Sequence, residues 1–143
     1  MRSYLVVGNE TLDSPELAAA IAERVAAGPA VFHVVVPATP VGRGLTWDED
    51  EARAIANERL TGALSRLLDM GAEASGEIGS RDPIEATEDA LRGRQVDEVI
   101  LSTLPPGISR WLGQDVPTRL MGSILEPVVV VTTQRASVSS AST

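Results

Sequence analysis

The run Val31-Phe32-His33-Val34-Val35-Val36 decides the fold. In a strand, alternate residues face opposite sides of the sheet. Here both sets are apolar apart from His33. A strand of that kind is covered on both faces, as the strands of a parallel sheet are.

Working outward, each flank of this run reads as a helix and then another strand. Upstream, Gly28-Pro29 closes a helix that Ser14 caps and Pro15 begins. Leu17, Ala20, Ile21, Arg24 and Val25 recur along it at helical spacing. Before it, Tyr4 to Val7 is a short apolar strand. Downstream, Pro37 to Leu45 is a Pro- and Gly-rich loop, and Thr46-Trp47-Asp48-Glu49 has the form of a capping box. The helix it opens carries the stripe Ala52, Ile55, Ala56, Leu60, Ala63, Leu64 and Leu67, and stops at Gly71. Ala72 to Ile78 alternates small and acidic residues, as an edge strand does. Asp82-Pro83-Ile84-Glu85 starts another helix, which ends near Gly93. Val96 to Ser102 is a strand, Pro117 to Leu125 a short helix, and Glu126-Pro127 leads into a last strand through Thr132.

The order β-α-β-α-β-α-β-α-β predicts an α/β fold: a five-stranded parallel sheet in a three-layer αβα arrangement, Rossmann-like, with right-handed crossovers. Residues 1–134 form one domain, and 135–143 is a Ser/Ala/Thr-rich tail expected to be disordered. A chain of 143 residues suits one domain. It has only four Phe, Trp or Tyr residues, so the core must be aliphatic.

Composition narrows the function. The net charge is −8, and such a surface repels nucleic acid and anionic membranes. With no cysteine, disulfides, thiolate nucleophiles and Cys-type zinc sites are excluded. With one histidine, His-based metal clusters are excluded too. The opening residues lack a signal-peptide pattern and no apolar run reaches the length of a membrane span, so a soluble cytoplasmic protein is expected. No Gly-x-x-x-x-Gly-Lys-Ser/Thr loop or Gly-x-Gly-x-x-Gly fingerprint is present. The acidic run Asp48 to Glu51 complements the start of a helix, because consecutive helical residues diverge too far to share a metal. His33 lies inside a strand, where packing is expected rather than catalysis. Asp97 and Glu98 stand at the amino end of their strand, where solvation is expected.

In open α/β sheets ligands sit beyond the carboxyl ends of the strands, where the strand order reverses. That rule selects three loops: Gly8 to Asp13, Pro37 to Leu45 and Thr103 to Asp115. Asn9 can bond a base or ribose, or cap a turn through its own backbone. Thr103 to Gly113 reads as a ligand loop or as a rigid connector whose Trp111 and Leu112 plug the core. Trp111 could also stack on a base. Arg43 belongs either to a mobile lid or to a solvated loop.

Three stretches carry a resemblance. Leu5-Val6-Val7-Gly8-Asn9-Glu10-Thr11, Gly107-Ile108-Ser109-Arg110-Trp111-Leu112-Gly113 and Glu126-Pro127-Val128-Val129-Val130-Val131 resemble segments of the universal stress proteins. The layout is similar over about residues 3 to 133. The resemblance implies the fold class shared with the adenine nucleotide alpha hydrolases. It also implies a stress-response or regulatory module that binds an adenine nucleotide, ATP or AMP, or another small anion. Residues implied to line that crevice are Gly8, Asn9, Val36, Thr103, Gly107, Ser109, Arg110 and Gly113. Glycines there let backbone amides reach phosphate oxygens, and a helix N-terminus adds positive potential. This chain departs from the family pattern at Asn9, where an acid is usual, and at Ser102 and Pro105, which align with the two leading glycines. Gln114, not a hydroxyl residue, follows Gly113. The resemblance further implies a homodimer paired through Val128 to Val131. The alternatives are a dimeric interaction protein without nucleotide and, last, a nucleotide hydrolase on the same fold. A response-regulator receiver is rejected, because Glu77-Ile78-Gly79-Ser80 supplies no phosphorylatable aspartate. No catalytic residue and no metal ligand is assigned.

Overall fold

The computed structural model describes residues 1–38, 49–105 and 109–134. The elements are β1 (Arg2–Val7), α1 (Pro15–Ala26), β2 (Ala30–Pro37), α2 (Glu49–Asp69), β3 (Glu73–Gly79), α3 (Pro83–Leu91), β4 (Glu98–Thr103), α4 (Arg110–Gly113), α5 (Val116–Ser123) and β5 (Val128–Thr132). The five strands form one sheet in the order β3-β2-β1-β4-β5, every neighbouring pair parallel. The expected fold class is therefore observed. β3 lies at one edge, as its small and acidic residues predict.

The two parities of the central strands feed two cores. Tyr4, Val6, Phe32, Val34 and Ile100 pack under α1 and α2 with Leu17, Ile21, Ala56, Leu60 and Leu67. Leu5, Val7, Val35, Val99 and Leu101 pack on the other face with Ala86, Ala90, Val116 and Leu120 of α3 and α5. Tyr4 and Phe32 are paired in register, and their rings stack with centroids 5.0 Å apart. Gly76 permits the close seat of α2 on β3. A β-carbon there would lie 2.4 Å from Leu60 Cδ1 and 2.8 Å from the Val34 carbonyl oxygen.

The caps read at Ser14 and Asp82 are present. The Ser14 hydroxyl accepts from the Leu17 amide, and Asp82 accepts from the Ile84 amide. The capping residues Thr46 to Asp48 lie outside the described residues, as do Arg43 and the tail from 135.

Two expectations need correction. The segment between β4 and β5 holds two helical pieces, not one. Asp115 stands between them in the left-handed conformation, φ 57°, which breaks the helical path. Asp97 and Glu98 are also more than solvated charges. Asp97 Oδ2 accepts from the Ser3 amide at 2.8 Å. Glu98 pairs with Arg24 Nε at 2.7 Å, with under a fifth of either side chain exposed. α1 lies over β4, so an acid opening that strand meets a helix rather than water.

Candidate functional site

The strand order reverses between β1 and β4. The chain leaves β1 toward α1 on one face and leaves β4 toward α4 and α5 on the other. Their carboxyl ends diverge there, as ligand-binding α/β sheets require. The structure brings Gly8, Asn9 and Thr103 to this end of adjacent strands.

Gly8 is fixed by packing. A β-carbon at Gly8 would sit 2.9 Å from Leu12 Cδ2 and 3.2 Å from Ser102 Cβ. The turn that follows is bonded in three directions. Asn9 Nδ2 donates to the Pro37 carbonyl at 2.8 Å, reaching the end of β2. Arg59 of α2 donates to Asn9 Oδ1 at 2.5 Å. The Thr11 and Ser102 hydroxyls lie 2.5 Å apart, joining the turn to β4. Asn9, Thr11 and Ser102 are all buried.

Sequence reasoning did not find Arg59. Its signal was its position on the helix: three residues after Ala56 and four before Ala63, on the flank of the buried stripe. Asn9 was expected to bond a base or ribose, or to cap a turn. Its side-chain amide bonds the end of β2 and α2, and its carbonyl accepts from the Leu12 amide within the turn.

Thr103 ends β4 and is 2 % exposed. Its hydroxyl oxygen is buried and has no hydrogen-bond partner among the described residues. Ser109 is buried, and its hydroxyl accepts from the Leu112 amide at 3.0 Å, capping α4. Gly113 is exposed, with nothing near a hypothetical β-carbon. The Val36 side chain is fully buried in the core beneath α2, so only its backbone reaches this end of the sheet. Gly107 and the side chain of Arg110 lie outside the described residues. Trp111 is half-buried and packs against the core on the α3 and α5 face.

His33 lies mid-strand, away from this end. Its ring nitrogens meet Ser75 Oγ at 2.7 Å and Glu77 Oε2 at 3.0 Å on β3. The Arg24–Glu98 pair is at the opposite, amino end of β4, and the hydrogen bond that Arg24 donates to Glu98 holds the guanidinium above its ordinary range. Among the described residues no three His, Asp or Glu side chains converge on a point that a metal ion would occupy. No described helix is long and apolar enough to cross a membrane.

No family model matches this chain, and no curated protein matches it in sequence. Solved structures do. A universal stress protein from Archaeoglobus fulgidus superposes with a TM-score of 0.65 at 19 % identity, covering 92 % of this chain and 93 % of its own. A structure of the universal stress protein from Archaeoglobus fulgidus in complex with dAMP gives 0.60 at 20 % identity, with 92 % and 98 % covered. A universal stress protein family protein from Arabidopsis thaliana with AMP bound gives 0.65 at 10 % identity, with 98 % and 97 % covered. The chain therefore has the fold of the universal stress proteins over nearly its whole length.

Proposed function

We propose that this protein is a regulatory, stress-response module of the universal-stress-protein kind, holding an adenine mononucleotide where β1 and β4 diverge. Two proteins of the same fold are described with dAMP and AMP. The observation that carries the reading is the Thr103 hydroxyl: buried, unpartnered among the described residues, and at the carboxyl end of β4. Leaving a buried hydroxyl unpaired costs about 1–3 kcal/mol, so native chains keep few of them. A ribose hydroxyl or a phosphate oxygen satisfies it.

The same residues favour a monophosphate over ATP. Ser109 is engaged with the Leu112 amide. Pro105 has no amide to donate. Asp115 places a carboxylate at the start of α5, where a longer phosphate chain would otherwise find positive potential. Calorimetry with AMP and ATP tests this, together with mass spectrometry of ligand released from fresh protein. Micromolar AMP binding, with ATP no tighter, is expected. Absence of AMP binding at millimolar concentration overturns it.

A second reading rests on Asn9. Both ends of its amide are bonded within the protein. A side chain so held favours a rigid, nucleotide-free interaction module. In either reading we assign no catalytic residue, and the partner is a second copy of the chain. β5 is an edge strand whose five residues, Val128–Thr132, are half-buried and carry no charge to block pairing.

A further inference from the structure

A cavity of about 260 Å³ lies between α1 and α2, over the carboxyl-terminal half of β1 and β2. Its floor is Val6 and Val34, which are paired in register. Leu17 and Ile21 of α1 wall one side, and Ala63 and Leu67 of α2 the other. All six belong to the main core. It opens to solvent past Asp13, Ala18, Arg66 and Asp69, which are exposed, while core residues close its base. The gap has a local cause in the sequence. Ala63, buried on α2, lines its wall where a larger side chain would fill it, and Ala18, exposed on α1, lines its mouth.

We infer that this cavity binds an uncharged, apolar small molecule about the size of two fused aromatic rings. Size supports the class: an engineered apolar cavity of roughly 150 Å³ in another protein holds benzene, and this one is larger. The lining supports it as well. Ser14, a polar residue at its edge, already accepts from the Leu17 amide. The rim carries Asp13 and Asp69 against Arg66, all exposed. Two carboxylates to one guanidinium, on a chain of net charge −8, disfavour an anionic ligand. They leave room for one weak donor, such as an indole N–H, to face a carboxylate. The site is separate from the nucleotide crevice. Leu12 stands between them: its side chain lines the cavity, while its amide bonds back to the Asn9 carbonyl at 3.4 Å.

The test is a titration of the full chain with indole, followed by ¹³C-methyl NMR. Saturable shifts centred on the methyls of Val6, Ile21 and Leu67 are expected. In Ala63→Leu, which fills the cavity, binding should weaken at least about tenfold, the equivalent of roughly 1.4 kcal/mol. Ala18→Leu narrows its mouth from the other helix and keeps the test valid should Ala63→Leu fail to fold. Indole-3-acetate, the same rings with a carboxylate, should bind about tenfold more weakly than indole. The inference falls if no saturable shift is seen up to the solubility of indole, or if folded cavity-filled variants bind it as the parent does. It also falls if indole-3-acetate binds equally well, or if AMP displaces indole.

Discussion

Arg59 and Asn9, fifty positions apart in the chain, form a 2.5 Å hydrogen bond that ties the middle of α2 to the turn leaving β1. The other end of the same amide holds the Pro37 carbonyl at the end of β2. Asn9 is thus a rivet for three elements. Asn9→Ala should destabilise the protein by about 1–3 kcal/mol, because it leaves a buried carbonyl without its donor. Arg59→Ala should cost less, since its charge is not fully enclosed. A double-mutant cycle by urea unfolding should show coupling of about 0.5–3 kcal/mol. Additive effects would show that the contact contributes no energy of its own.

The two hydroxyls at the end of β4 should respond in opposite ways. Ser102 is paired with Thr11, so Ser102→Ala should lower stability by about 1 kcal/mol. Thr103 has no partner among the described residues. Thr103→Val keeps its shape and removes an unsatisfied group, so stability should hold or rise. AMP affinity should fall about fivefold in Thr103→Val, the value of one modest hydrogen bond. Unchanged AMP affinity, measured by calorimetry on the folded variant, would remove Thr103 from the site.

Much of this was legible in the chain. The two-sided apolar run at Val31 to Val36 gave a parallel sheet, Ser14 and Asp82 gave the helix starts, and the small and acidic pattern of residues 72–78 gave the edge. These signals are local: a period, a cap, a composition. The polar contacts were not legible, because each joins residues far apart in sequence whose pairing depends on where two elements dock. Nothing beside Arg59 or Glu98 names Asn9 or Arg24 as a partner. Both acids and bases look solvated until a helix is laid over them. The break between α4 and α5 was missed for a different reason. It rests on the backbone of Asp115, a residue type that adopts the left-handed region only sometimes.

Gly76 and Gly113 separate a glycine needed by packing from one that is not. Gly76→Ala should cost about 1–3 kcal/mol, because a β-carbon would press on Leu60 and on the immovable Val34 carbonyl. Gly113→Ala meets nothing within 4 Å and should be near neutral. Thermal unfolding of the two variants side by side checks the contrast.

The Arg24–Glu98 pair should matter more than an ordinary surface ion pair, since both side chains are largely covered. Arg24 also donates to the Ala20 carbonyl at 2.8 Å and lies over the Tyr4 ring, 5.8 Å from its centroid. Glu98→Gln should cost about 1–3 kcal/mol. The folded pKa of Arg24 is raised, so its contribution is complete below the unfolded arginine value and is lost only as pH rises through the folded one. The destabilisation by Glu98→Gln measured at pH 7 should therefore persist undiminished at pH 9. A difference between parent and variant that vanishes over that range would show that the guanidinium charge is not its source.

The proposed homodimer makes a prediction about single backbone groups. Val99 donates to the Pro127 carbonyl, and Thr133 donates to the Thr103 carbonyl. In a parallel ladder alternate residues bond the same neighbour, so the odd-numbered residues of β5 face β4. Val128, Val130 and Thr132 then turn their amides and carbonyls outward, toward whatever adds to the edge. Proline is tolerated on an edge strand where its missing N–H would have pointed away from the sheet. Val130→Pro should therefore fold, keep the β4–β5 ladder, and lose one donor at the centre of the interface. Sedimentation velocity at micromolar concentration should show the parent as a dimer and Val130→Pro as a folded monomer. A parent that sediments as a monomer removes β5 as a pairing edge, and a variant that still dimerises moves the interface to another surface.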